Sequence, residues 1–99
     1  MTERAHLVFP TYNAESWQKM RAAAADGEHL HEEFERFDKA NRERFEVHSS
    51  AGHLVEMVPI DVDALIAWCR SERIPLDSKA RHQFTMRTLQ FRDSQRGHA

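Results

Sequence analysis

The sequence predicts a single α+β domain, mostly helical, with about four helices and a minimal two-stranded sheet. Three observations carry this reading. Leu30, Phe34, Phe37, Asn41 and Phe45 recur at the spacing of one helix face. Two short β-rich runs, "HLVF" and "HLVEMVPI", each meet a proline. Asn13, Asp61 and Asp77 each stand just ahead of a helix-favouring stretch, where a side-chain oxygen can cap the first turn.

The first strand is His6–Phe9, stopped by Pro10, and "PTYN" is the turn that leads into the Asn13 cap. Helix-favouring residues then run from Ala14 to Ala25, with Trp17, Met20 and Ala24 on one side. The run "AAAA" combines high helix propensity with little bulk, which lets a neighbouring helix approach closely. Asp26-Gly27 breaks this helix from a second, expected from about Glu28 to Phe45 or Glu46, and the two form an αα-hairpin. Asn41 is the polar member of the second helix's apolar stripe. It either marks the core edge or fixes the register of a helix pair, as buried asparagines do in coiled coils.

"SSAG" at Ser49–Gly52 signals a turn. "FEVHS" before it reads either as a hairpin strand or as the end of the long helix, and helix to Glu46 is the expectation. The second strand, His53–Val58, ends at Pro59 and should pair with His6–Phe9. Asp61 caps a third helix, and Asp63 in its first turn suits the helix dipole. Val62, Leu65, Ile66 and Cys69 make that helix's buried stripe, with Trp68 at the margin. "RIPLD" interrupts it at Pro75, and Asp77 caps a fourth helix from Ser78 to about Arg92. Residues 1–92 thus form the domain, and "DSQRGHA" at 93–99 is a tail with nothing to bury, expected to be mobile. A two-stranded sheet is stable only under cover, and Trp17, Phe34, Phe37, Leu65 and Phe84 are the candidates to supply it.

The fourth helix is unusual in having two apolar sides. Ala80, Phe84 and Phe91 share one, while Met86 and Leu89 lie roughly opposite, with His82 beside them. Either the helix is sandwiched within the fold, or the side bearing His82, Met86 and Leu89 meets a partner.

Composition narrows the function classes. Apolar residues make up 40% and charged residues 30% of the chain, with two Trp, six Phe and one Tyr, which suits a folded domain with one modest core. No apolar run approaches the roughly 20 residues of a membrane span. The opening "MTERAHLVFP" lacks the long apolar stretch of a secretory signal, and the lone Cys69 builds no disulfide framework, so the cytoplasm is the expected location. The net charge of −2 is unevenly spread: residues 1–69 carry 7 Lys and Arg against 13 Asp and Glu, residues 70–99 carry 7 against 3. An acidic body with a basic end can bind an anion or pair head to tail with a second copy.

"GEHLHEEF" at Gly27–Phe34 is the densest concentration of ligand-type side chains. On a helix, His29 and His31 would lie about 200° apart and cannot chelate one ion. His29 with Glu33 has the i, i+4 spacing but lacks the further ligands a zinc site needs. Glu32–Arg36 and Glu35–Lys39 instead suggest a solvated face with helix-supporting charge pairs. Neither a metal nor another cofactor is expected.

Cys69 falls on a buried stripe, where a thiol stays protonated and inert. Ser49, Ser50 and His53 match no hydrolase motif, and the isolated Gly27, Gly52 and Gly97 build no phosphate-cradling loop. An enzyme is therefore not the expectation. The third helix, "RIPLD" and the fourth helix read as a helix-turn-helix alternative, with Lys79 and Arg81 near the start of the second helix. Arg70, Arg73, Arg87 and Arg92 would then reach phosphates.

"SWQKMRAAAADG", "FERF" and "GHLVEMVPIDVDALIAWCRSERIPLDSKARHQF" resemble a loose group of small bacterial proteins, often plasmid- or mobile-element-borne and of uncharacterised function. The resemblance spans roughly Ser16 to Phe84 and implies a compact helical protein with a little sheet, without an activity or site residues to carry over. The functional expectation is a non-enzymatic interaction or regulatory module, a homodimer or a binder of another protein, through His82, Met86 and Leu89. The alternative is a nucleic-acid-binding protein using the basic end.

Overall fold

Leu54 enters the sheet beside His6, and the two strands run parallel. In the computed structural model, which describes residues 5–96, β1 (His6–Thr11) pairs with β2 (Leu54–Pro59) in a register from His6↔Leu54 to Thr11↔Pro59. Parallel strands cannot be joined by a tight turn, so the chain between them must cross over. That crossover consists of α1 (Ala14–Ala23), one 3-10 turn (Gly27–His29) and α2 (Phe34–Ser50). Helices α3 (Val62–Glu72) and α4 (Ser78–Arg96) follow. The architecture is the mostly helical α+β fold with a two-stranded sheet that the sequence predicts. Among the described residues no helix is long and apolar enough to cross a membrane.

Pro10 lies within β1 and does not stop it, because of which way its nitrogen points. Leu54 N–H donates to the Ala5 carbonyl and Ile60 N–H to the Thr11 carbonyl. Backbone groups of successive strand residues alternate direction, so Ala5, Leu7, Phe9 and Thr11 face β2 while His6, Val8 and Pro10 face outward. The N–H that proline lacks would have pointed away from the ladder. The same alternation turns Pro59 outward from β2, which explains why that strand also includes its proline.

The capping residues act as the sequence predicts. Asn13 Oδ1 accepts from Ser16 N–H at 2.7 Å while Ser16 Oγ accepts from Asn13 N–H at 2.9 Å, a reciprocal box that opens α1. Asp61 caps α3 through Ala64 N–H at 3.1 Å, and Asp77 caps α4 through Ala80 N–H at 2.9 Å. Arg73 closes α3 in the left-handed region, with φ of 55°.

The expected helix from Glu28 is corrected. Residues 30–33 are not helical, and α2 starts at Phe34. Side chains of α1 hold this segment open: Trp17 Nε1 donates to the His31 carbonyl at 2.9 Å and Gln18 Nε2 to the Glu32 carbonyl at 2.7 Å. In a helix from Glu28 those carbonyls would have accepted the N–H groups of residues 35 and 36. Gly27 is required at the break, since a Cβ there would collide with the Arg21 carbonyl oxygen. Consequently His29 and Glu33 do not form an i, i+4 pair. Neither Glu32–Arg36 nor Glu35–Lys39 is an ion pair among the described residues, whereas Asp38 and Arg42 pair along α2 at 2.9 Å. At its other end α2 absorbs "FEVHS" and continues past Glu46 to Ser50. Gly52, at φ of 93°, then makes the turn into β2.

The core is built from Trp17, Met20, Val58, Leu65, Leu89 and their buried neighbours, with Phe34, Phe37 and Phe84 half-buried around it. Each sheet face meets a helix. Arg44 of α2 lies over the Phe9 ring and Asn41 lies 3.9 Å from Met57 Sδ on one face. On the other, Arg92 of α4 pairs with Glu56, whose second oxygen is 3.1 Å from His6 Nε2.

Helix α4 is covered only in part: each apolar side carries a buried residue, while Phe91 on one and His82 on the other are exposed. Ala80 and Leu89, on opposite sides, are both buried. Its inward line also includes Arg81, Thr85 and Arg92, polar residues with internal partners. Helix α4 continues four residues beyond Arg92 to Arg96, so only residues 97–99 of the expected tail lie outside the described residues.

Candidate interaction groove

The open edge of β1 borders a cavity of about 650 Å³. Helix α2 contributes Asn41 and Arg44 to one wall, α4 contributes Arg81, His82 and Met86 to the other, and the 27–31 segment closes one end. The floor is aromatic. Trp17 stacks on Phe37 with centroids 4.1 Å apart and planes inclined 19°, and the edge of Tyr12 meets both rings at 5.5 Å. His6, His29, His31, Arg44 and His82 are exposed around the rim.

Two polar arrangements fix the walls. Asn41, only 5% exposed, donates from Nδ2 to the Pro10 carbonyl at 3.2 Å, so it ties α2 to the outward side of β1. This decides its role: the residue fixes a helix against a strand, not against another helix. Arg81 makes a two-point contact with Asp26, at 2.8 and 2.7 Å, that anchors the start of α4 to the break after α1. The Arg81 guanidinium holds the Asp26 carboxyl below the usual carboxylate range. Tyr12 Oη is buried without a hydrogen-bond partner among the described residues, and burial pushes its pKa up to about 12 despite the opposing charge of Arg81.

The groove contains no carboxylate among its lining residues. In a chain with more acids than bases, that leaves a local surface of hydrogen-bond donors and positive charge over an apolar floor. Arg44 forms no ion pair among the described residues.

No family model matches this chain, and no curated protein or solved structure does either.

The residues singled out from sequence are distributed unevenly. His82 and Met86 line the groove, exposed and half-buried respectively, but Leu89 is 4% exposed and belongs to the core. The three do not make one continuous outer face. Of the cations on the basic end, Arg70, Arg73, Lys79 and Arg87 are exposed. Arg87 lies over the Trp68 ring at 5.5 Å. Arg81 and Arg92 are engaged by Asp26 and Glu56, and contacting phosphate would require them to give up those partners.

Among the described residues no group of three or more His, Cys, Asp or Glu side chains is placed to hold a metal ion. Cys69 is buried, which pushes its thiol pKa up and leaves it unreactive. Sequence reasoning missed Tyr12, Pro10 and Arg44 as groove residues. The signals that pointed there were Asn41, a polar residue on an apolar stripe of α2, and His82 and Met86 on α4.

Proposed function

We propose that this protein is a non-enzymatic interaction module whose binding surface is the groove between α2 and α4 along the open edge of β1. The observation that carries the reading is the pairing of an apolar, aromatic floor with a rim of donors and cations, in a cavity bordered by the outward backbone of His6 and Val8, which has no partner among the described residues. A buried floor of this kind supplies affinity, and a few polar groups around it supply orientation. The partner is another protein or a second copy of the chain.

Selection of binders from a random peptide library against the folded protein tests this reading. Binders that are lost on Arg44→Glu and Met86→Glu, with the circular dichroism of both variants unchanged, support it. Binders that are indifferent to both changes would place the working surface elsewhere.

Arg70, Arg73, Lys79 and Arg87, exposed around the α3–α4 connection, favour a second reading as a nucleic-acid-binding protein. Duplex binding that weakens steeply with salt, and again on Lys79→Ala, supports it. No binding at low salt removes it.

A further inference from the structure

The groove's occupant can be inferred from what the walls leave unpaired. On β1 the outward backbone groups belong to His6, Val8 and Pro10. Pro10 offers no N–H, and its carbonyl is taken by Asn41. Among the described residues no side chain meets the outward N–H and C=O groups of His6 and Val8. They are arranged as a strand edge, with a natural stop at the Asn41–Pro10 contact. Helices α2 and α4 flank opposite faces of the sheet, and both contribute walls to the groove beyond β1. The space between them continues the sheet layer, and residues 6–10 give it the length of a strand of about five residues.

We propose that the groove takes an extended acidic segment of a partner protein, which adds to β1 as a third strand. This rests on the reading of the groove as the interaction surface. Backbone pairing with His6 and Val8 supplies alignment, in the manner of strand addition to an exposed sheet edge. Charge complementarity selects the side chains: Arg44 has no ion-pair partner among the described residues, His31 and His82 line the same groove without a carboxylate partner there, and no lining carboxylate repels an incoming one, while His6 and His29 already face Glu56 and Glu28. Alternate residues of an added strand point to opposite faces. One set therefore meets the α2 wall at Arg44, and the other meets Met86 and His82 on α4. A segment that alternates glutamate with a β-branched apolar residue fits both.

The test uses the full 99-residue chain and the blocked peptide Val-Glu-Val-Glu-Val, with Val-Lys-Val-Lys-Val and a single-stranded oligonucleotide as comparators. The acidic peptide should bind, and the amide protons of His6 and Val8 should gain exchange protection on binding. Arg44→Glu should weaken it by about tenfold or more. N-methylation of the peptide should abolish binding at the alternate amides that face β1 and leave it intact at the others, a readout that does not depend on any variant folding. Equal binding of the lysine peptide, or indifference to N-methylation at every position, would overturn the proposal. So would an oligonucleotide that protects the groove where the acidic peptide does not. If library-selected ligands occupy the groove without strand pairing, the strand-addition proposal fails while the interaction-module reading stands. If no ligand touches the groove, both fail.

Discussion

Asn41 and Pro10 meet across the outer edge of the sheet, the amide of one donating to the carbonyl of the other at 3.2 Å. Each explains the other's place in the sequence. Proline is tolerated in β1 because its missing N–H faces out of the ladder, and asparagine is tolerated on α2's apolar stripe because the outward carbonyl needs a donor. Replacing Asn41 with Leu should cost about 1–3 kcal/mol, since an acceptor is left without its partner at a buried position. Asn41→Asp should cost more at neutral pH, because a carboxylate would face the carbonyl oxygen. Urea unfolding of the two variants checks both the size and the order.

The Asp26–Arg81 pair predicts how stability responds to acid. Arg81 lowers the Asp26 pKa in the folded chain. The folded state therefore binds the proton less readily than the unfolded state. The stabilisation is fully present above the ordinary carboxylate pKa and is lost as pH falls through the lowered folded value. Glu56 behaves in the same direction, held low by Arg92 and then by His6. Asp26→Asn should flatten part of the acid limb of a urea-midpoint profile, and Glu56→Gln another part. At neutral pH, Asp26→Ala should cost about 1–3 kcal/mol, because the Arg81 side chain is only 12% exposed and loses its anionic partner.

Tyr12 is the chain's one tyrosine, so its ionisation can be followed directly by absorbance. Burial pushes its folded pKa up to about 12, well above the ordinary tyrosine value. The folded state thus favours the protonated phenol. That contribution is intact below the ordinary tyrosine pKa and disappears as pH rises through the folded value. Titration should show a late, single transition in the native protein that shifts to the ordinary value in urea. Because Oη has no hydrogen-bond partner among the described residues, Tyr12→Phe should change stability by less than about 1 kcal/mol and should not lower it by the cost of a lost hydrogen bond.

The legible parts of this fold were those governed by neighbours in sequence. Asn13, Asp61 and Asp77 announce helix starts because a cap bonds to a backbone group three residues on. Val62, Leu65 and Cys69 announce a buried face because helical spacing repeats locally. The segment Gly27–Glu33 was misread because long-range donors, Trp17 and Gln18, take its carbonyls, and no local pattern records that. Pro10 was misread because its tolerance depends on which edge of β1 pairs, a property of the partner strand. The groove was mostly hidden for the same reason: its walls come from β1, α2 and α4, and the sequence marked only Asn41 on one wall and His82 and Met86 on the other.

Helix α4 gives the sharpest separation between apolar residues that hold the fold and those that do not. Its sequence offers Leu89 and Phe91 as equally apolar, yet Leu89 is 4% exposed and Phe91 is 67% exposed. Helix face alone does not separate them: Phe91 shares a side with Ala80, which is buried, but stands about three turns further along α4, whereas Leu89 lies on the face of Arg81, Thr85 and Arg92. Thr85 escapes a burial penalty by donating to the Arg81 carbonyl at 2.7 Å, so a polar residue occupies the core side while an aromatic one is left in solvent. Leu89→Ala should therefore cost about 2–5 kcal/mol, and Leu89→Lys should leave no folded population at moderate temperature. Phe91→Ala and Phe91→Lys should each stay within about 0.5 kcal/mol of the parent. Thermal melts of the four variants decide the matter. A stable Leu89→Lys protein would mean that this side of α4 faces outward after all, and would return His82, Met86 and Leu89 to a common partner surface.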